Sequence, residues 1–403
     1  MDFSLPPDVE NVRRRVATFV RERVMPVEAD RANWDEHENI RDDVLATLRA
    51  EAKAQGLWAP QIPQALGGLG LPVVGMAACY EAMNESIFGP ACFNCAAPDD
   101  GNMMLLAKVG TPAQQARWLA PIVEGRVRSS FAMTEPHPGS GSDPAMTLTR
   151  AERQGDRWVV HGRKWFITGA AAAAHFILVA KTSDDPRKGL TAFMHHRDDP
   201  GWRIVRRIPI MGPEEHGGHC ELEYEGLEIP DENRLLGVGD GLKVTQIRLG
   251  TARLTHCMRW LGLAKRSLAI ALDYTAMRRT AGGRALAALE GVQRMLAEAA
   301  MDIEIGRLLT MRAAAKLDQG DFARKEVSMA KVFVADTLHK AVDVALQLNG
   351  ARGYSEDTVL EWIYRYARQA RLVDGASEVH KGVLARFLQQ ERGDFWRWDA
   401  PAA

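Results

Sequence analysis

Residues 157–181 read RWVVHGRKWFITGAAAAAHFILVAK, and the organisation of the whole chain can be worked out from this stretch. RWVVHG (157–162), KWFIT (164–168) and HFILVAK (175–181) are β-branched and aromatic runs of strand length. Gly162 punctuates the first two, and the patch Ala170–Ala174 reads as a turn. Further runs follow in LTAFMH (190–195), RIVRR (203–207) and CELEYEGLEI (220–229), separated by Asp184-Asp185-Pro186 and Asp198-Asp199-Pro200. The pattern predicts a mid-chain β-domain over residues 129–243, built of short, mostly antiparallel strands.

On both sides of that domain the apolar period becomes helical. Val9, Val12, Val16, Phe19 and Val20 share one face, which predicts a helix over 8–24 that Pro26 ends, with Arg13, Arg14 and Arg15 solvated. Segments 41–55, 73–87, 100–109 and 112–125 have the same character. In GTPAQQARWLAPIVEG, Thr111 is placed to cap a helix opened by Pro112 and closed by Gly125. Beyond about residue 244 the stretches 248–278, 286–317, 322–349 and 356–370 predict a bundle of long helices. The expected fold is therefore mainly α with a β-domain in the middle. An N-terminal helical domain (1–128) and the β-domain (129–243) precede a C-terminal four-helix bundle (244–403).

Composition narrows the classes of function. The 403 residues carry 51 Lys+Arg against 52 Asp+Glu, a net charge of −1, which removes any general case for nucleic acid or an anionic membrane as partner. No apolar run reaches the ~18 residues that a membrane span needs. The opening MDFSLPPDVENVRRR lacks an apolar core with a cleavage site and carries acids early, so the expected compartment is the cytoplasm. Five cysteines, at 79, 92, 95, 220 and 257, are too few and too scattered for a disulfide framework. Cys92 and Cys95 form a C-x-x-C flanked by helical sequence, and they read as two buried small thiols.

Ordinary nucleotide signatures fail. The string Gly139-Ser140-Gly141-Ser142-Asp143-Pro144 lacks the third glycine of a dinucleotide fingerprint, and no phosphate loop of the Walker type is present. His216-Gly217-Gly218-His219 has no third ligand at metal spacing and reads as a loop, and His195-His196 as a strand end. Two stretches remain. Met133-Thr134-Glu135-Pro136 stands at the entry to the β-domain, and Lys164-Trp165-Phe166-Ile167-Thr168-Gly169 lies thirty residues on. Together they could offer hydroxyl and backbone N–H groups to the edge of a flat heteroaromatic cofactor and an aromatic ring to its face. From composition alone, ordinary turn and strand-end residues are the preferred reading of these threonines.

The string FAMTEPHPGSGSDP (131–144), the strand KWFITG, the helix GTPAQQARWLAPIVEG and the late segment QLNGARGYSEDTVLEWIYRYARQARLVDGASEVH together resemble the acyl-CoA dehydrogenase superfamily. The resemblance is collinear over essentially the whole chain. FNCAAPDDGNM, HGGHCELEYEGLEIP and RLTHCMRWLGLAKR are similar to one branch, which includes the dehydrogenase domain that some animals carry behind a kinase-like domain. No kinase-like portion is expected here.

That resemblance implies FAD, an acyl-CoA thioester substrate, an electron-transferring flavoprotein as electron acceptor, and a homo-oligomer. It implies that Met133 and Thr134 lie along the flavin's pyrimidine edge, with Phe131 also binding the cofactor. Phe166, Ile167 and Thr168 would supply the packed aromatic and the hydroxyl at N5. Arg279 would pair with the FAD pyrophosphate across a subunit interface. Gln347, Gly350 and Ala351 would form the turn where a neighbouring backbone meets the same cofactor, with Ala376 and Glu378 also on the cofactor side. Ser140, Arg253 and Gly375 would face substrate, with Ser142 competing for the place of Ser140. No metal is implied.

The chain departs from the family pattern in places. Arg279 is followed by Thr280-Ala281-Gly282-Gly283 instead of Phe-Gly, and Glu290 stands where a Gln is usual. The family's base, a Glu before a Gly, is Asp374-Gly375 here, as in the resembling branch. Asp keeps the carboxylate and shortens its arm by one methylene, about 1.5 Å. Some relatives carry the base just before the substrate-side arginine, and that position is Ala252, which cannot act. Asp374 is therefore the expected general base, in a pocket expected to be apolar. Two other functions stay open at this level: a flavin oxidase of the same fold, acting on acyl-CoA or nitroalkanes, and a flavin-free interaction protein.

Overall fold

The structure, a computed structural model, describes residues 4–141 and 143–397. The chain divides into two compact units, Met1–Ala252 and Arg253–Ala403. The division falls inside one long helix, Gly241–Met277.

In the first unit, helices Pro7–Phe19, Asp42–Ala54, Val73–Met83 and Asp99–Val109 precede an eight-stranded sheet. Its strands are β1 (Arg128–Ala132), β2 (Arg150–Gln154), β3 (Arg157–Thr168), β4 (Ala173–Lys181), β5 (Leu190–His196), β6 (Trp202–Arg207), β7 (His219–Pro230) and β8 (Arg234–Leu235). The order is β6-β7-β3-β2-β4-β5-β8, with β1 laid parallel to β4. Most other pairs are antiparallel. The predicted strands 157–162 and 164–168 form a single strand, because Gly162, at φ +149°, stays paired to Tyr224 and makes no turn.

The unbroken apolar run of β4 has a direct cause, since both of its faces are covered. Ile177 and Val179 join a core with Trp58, Trp118 and Leu119 from the helical side. Phe176, Leu178 and Ala180 join a second core with Trp158, Val160 and Leu222.

The helix expected to stop at Pro26 does not stop there. Its α-turns end at Phe19, a π-type turn covers Val20–Val24, and α-helix resumes at Met25–Ala29 with the proline in its first turn. The same arrangement recurs at Gln115–Leu119 before Pro121. A proline ring clashes with the carbonyl four residues back, and the wider i→i+5 turn makes room for it. The predicted cap is present: Thr111 accepts from Gln114 N while the Gln114 side chain accepts from Thr111 N, and Gly125 closes the segment at φ +73°.

The second unit is helical. Arg324–Asn349 is its centre, packed by Glu290–Asp318, Leu360–Gln369 and Ser377–Glu391. Leu286–Ala288 is a 3₁₀ turn, so the helix predicted from 286 starts at Glu290, and the one predicted from 356 starts at Leu360.

Candidate active site

Met133 and Thr134 follow directly on the end of β1. A buried ion pair fixes them: Lys164 Nζ lies 2.8 Å from Glu135 Oε1, and the two side chains are 0% and 2% exposed. The same ammonium donates to Met133 O at 2.8 Å. Glu135 also accepts from Leu148 N (2.7 Å) and Thr149 N (2.9 Å). Burial works against the charged carboxylate, but Lys164 and these donors outweigh it and hold Glu135 below the ordinary carboxylate range. Burial lowers Lys164 to about 8 despite Glu135, so both groups are charged at neutral pH. Ser140 spends its hydroxyl on Met133 O at 3.2 Å, and Ser142 lies outside the described residues.

A bulge in β3 between Lys164 and Ile167 aims the next residues. Phe166 takes φ +51°, a left-handed backbone rare for an aromatic, and its ring stands 43% exposed. Ile167 points into the core, so only its backbone is available to a ligand. Thr168 ends the strand half-buried, with Ser130 Oγ donating to its carbonyl at 2.8 Å. Phe131 is half-buried beneath the Arg248 guanidinium, 5.0 Å from its ring centre. An exposed ring beside a hydroxyl, both on rigid strand ends, suits a flat heteroaromatic group.

The second unit gathers another set of residues. Asp374 sits between helices Leu360–Gln369 and Ser377–Glu391 at φ +52°, a conformation that costs energy and persists where the surroundings hold it. Three side chains do so. Arg253 Nε donates to Asp374 O at 2.9 Å, His380 Nε2 meets the same oxygen at 3.3 Å, and Lys331 Nζ donates to Gly375 O at 2.8 Å. Burial lowers His380 to about 4, helped by Arg253 and Lys331. Burial likewise lowers Lys331 to about 8.

The Asp374 carboxylate lies 3.1 Å from His256 Nε2, and the His256 ring stacks on Trp260 at 5.0 Å. The apolar pocket expected for Asp374 is instead a polar cluster, because the long helix brings Arg253 and His256, and neighbouring helices bring Lys331 and His380, to this turn. Helix Gly241–Met277 carries Arg253, His256 and Trp260 on one face at i, i+3, i+7 spacing. Nothing in the sequence singles out His256 except that spacing.

Of the remaining predicted residues, Glu378 bears electrostatically on Lys331 of this cluster. Arg279 is exposed in a short bridge to Ala285, Gln347 and Ala351 are exposed, and Gly350 takes φ +59° at the end of the 324–349 helix. Ala376 is half-buried and Glu378 exposed.

Sequence profiles of one family match in chain order: the acyl-CoA dehydrogenase N-terminal domain over residues 6–126, its middle domain over 130–227 and its C-terminal domain over 239–389. The chain belongs to the acyl-CoA dehydrogenase family. It is 35% identical over 410 residues to FadE2 of Mycobacterium tuberculosis, covering 98% of this chain and 99% of that protein. It is 36% identical over 393 residues to acyl-CoA dehydrogenase family member 11 of Gallus gallus, covering 94% of this chain but only 50% of that protein. The chain therefore spans about half the length of the family member 11 relatives. A solved structure of a Mycobacterium abscessus protein assigned to the acyl-CoA dehydrogenases superposes with TM-score 0.89 at 34% identity, covering 96% of this chain and 100% of that one.

Proposed function

We propose that the protein is a FAD-dependent oxidoreductase that removes the α-proton and the β-hydride of an acyl-CoA thioester, with Asp374 as general base. The carrying observation is the Asp374 carboxylate on a left-handed backbone residue whose carbonyl and that of Gly375 are held by Arg253, His380 and Lys331. Strain maintained by several donors is a feature of functional sites. Bound FAD supplies the hydride acceptor at flavin N5.

The chain's own residues orient and deprotonate. Met133 and Thr134, tied down by Lys164 and Glu135, would lie along the flavin edge with Phe131. Phe166 would pack on its face, and Thr168 would meet N5. Asp374 would take the α-proton while its backbone N–H polarises the thioester carbonyl, so that base and oxyanion donor sit on one residue. Ser140, Arg253 and Gly375 would line the substrate side. Arg279, Gln347, Gly350 and Ala351, all exposed on their own protomer, would meet a neighbouring subunit's FAD, with Ala376 and Glu378 nearby, in a homo-oligomer. An electron-transferring flavoprotein would take the electrons. The division of labour follows domains 1–128, 129–243 and 244–403. No helix among the described residues is long and apolar enough to cross a membrane.

Anaerobic titration with acyl-CoAs of graded length and substitution should bleach the flavin of the wild type. Asp374→Asn should bind FAD and acyl-CoA yet bleach it slower by about 10²–10⁴-fold, the usual cost of losing a base. A wild-type bleaching rate in Asp374→Asn removes Asp374 as the base.

A further inference from the structure

His219, read from sequence as part of a 216–219 loop, opens strand β7 and does something that reading did not suggest. β3 and β7 pair with Thr168 opposite His219, and Thr168 Oγ1 lies 3.1 Å from His219 Nδ1. The other ring nitrogen, Nε2, lies 2.8 Å from Glu215 Oε2. Gly217 and Gly218, at φ +86° and +61°, turn the chain back so that a residue four positions earlier reaches the ring. Carboxylate, imidazole and hydroxyl thus form a continuous line that ends on the proposed N5 hydroxyl. His219 and Glu215 are both largely shielded, with 8% and 17% of their side chains exposed. Phe166, which would cover the flavin face, has its ring 6.2 Å from that of His219.

We infer that His219, oriented by Glu215, is a positioning residue that sets whether the Thr168 hydroxyl donates or accepts towards the flavin. This rests on the proposed placement of Thr168 at N5. The hydrogen arithmetic is simple. The Glu215 carboxylate, 2.8 Å from Nε2, holds a proton on that nitrogen in either charge state of the ring. In the imidazolium, Nδ1–H donates to Thr168 Oγ1, and the threonine hydrogen is free to point at N5, which is an acceptor in oxidised flavin. In the neutral ring, Nδ1 is a lone pair that takes the threonine hydrogen, and Oγ1 presents only lone pairs to the flavin. The difference between the states is one proton, exchanged with solvent at Nδ1.

The charged groups around the ring favour the imidazolium. Burial alone would discharge it, but Glu215 and, behind it, Glu214 outweigh burial and the opposing Arg207 of β6, and the ring's pKa is raised above its ordinary 6.5. Arg207 is itself neutralised by an ion pair with Glu214.

The test uses the full chain, with and without FAD. In the FAD-free protein, ¹⁵N NMR of the imidazoles should show His219 titrating above its ordinary 6.5. In the FAD-loaded protein, the flavin midpoint potential plotted against pH should show a break at the His219 titration. Glu215→Gln should move both the NMR titration and the break down by about one pH unit or more. His219→Gln should abolish the break while retaining FAD. In Thr168→Val the ring should still titrate but the break should vanish, since the hydroxyl that transmits the proton's position is gone. A break that persists in Thr168→Val, a His219 that titrates below 6.5, or a Glu215→Gln variant without a shift would each overturn the proposal while leaving FAD binding intact. A wild-type chain that takes up no FAD at all would instead overturn the functional reading beneath it.

Discussion

Lys164→Met replaces one half of the buried pair by an apolar chain of similar length, and the structure sets the size of the response. Glu135 would keep its two backbone donors but lose the Lys164 ammonium that pairs with it. It must then either stay ionised in a buried site or take up a proton. Protonation at pH 7 means working about 2.5 pH units above the ordinary value of 4.5, which at 1.36 kcal/mol per unit costs about 3.4 kcal/mol. That falls within the ~3–5 kcal/mol typical of a broken buried pair.

The pH dependence carries the sign. In the wild type the Glu135 pKa is lowered, so its contribution is present above the unfolded value and lost as pH falls. In Lys164→Met its folded pKa rises above the unfolded value, and the penalty shrinks as pH falls. Urea unfolding should therefore show a deficit of about 3 kcal/mol at pH 7 and under about 1 kcal/mol at pH 5. Because Lys164 also holds Met133 O, FAD affinity should drop in parallel. Glu135→Gln combined with Lys164→Met should recover part of the loss. A deficit below about 1 kcal/mol at pH 7, or one equal at both pH values, would refute this account of the pair.

Further outcomes follow from the same geometry. Arg279→Ala changes an exposed side chain, so unfolding should be unaltered within about 0.5 kcal/mol while FAD is lost on gel filtration; retention of FAD by a strict monomer contradicts the cross-subunit role. Asp374→Glu lengthens the arm by about 1.5 Å against a His256 nitrogen only 3.1 Å away, so partial flavin reduction is expected and full wild-type rates are not. Cys92 is buried, and burial pushes its thiol up to about 12, so thiol reagents should label it only after denaturant is added; rapid labelling of the native protein would contradict that burial.

Much of the architecture was open to sequence reading. The runs 157–168, 175–181, 190–195, 203–207 and 220–229 are strands, and most helices begin or end within a few residues of their periodic stretches. The widest miss is the start expected at 248 and found at 241, and helix Ser377–Glu391 matches none of the predicted stretches. Apolar period and turn chemistry are local properties, and the Thr111 cap with its proline and glycine is local too. β2 (RAERQ) was not legible, because one buried alanine among exposed polar residues carries no strand pattern.

The tertiary structure alone decided who meets whom. Period shows which face of a strand or helix is covered, but not which side chain faces it across the register. Lys164 reaches Glu135 across 29 residues, Thr168 meets His219 across 51, and Arg253 holds the carbonyl of Asp374 across 121. Whether a carboxylate in Asp-Gly is a turn residue or a constrained one likewise depends on the donors that other helices bring to its backbone. The bulge that swings Phe166 outward and the π turns before Pro26 and Pro121 have the same origin. Each is a compromise between a local preference and packing that only the folded chain imposes.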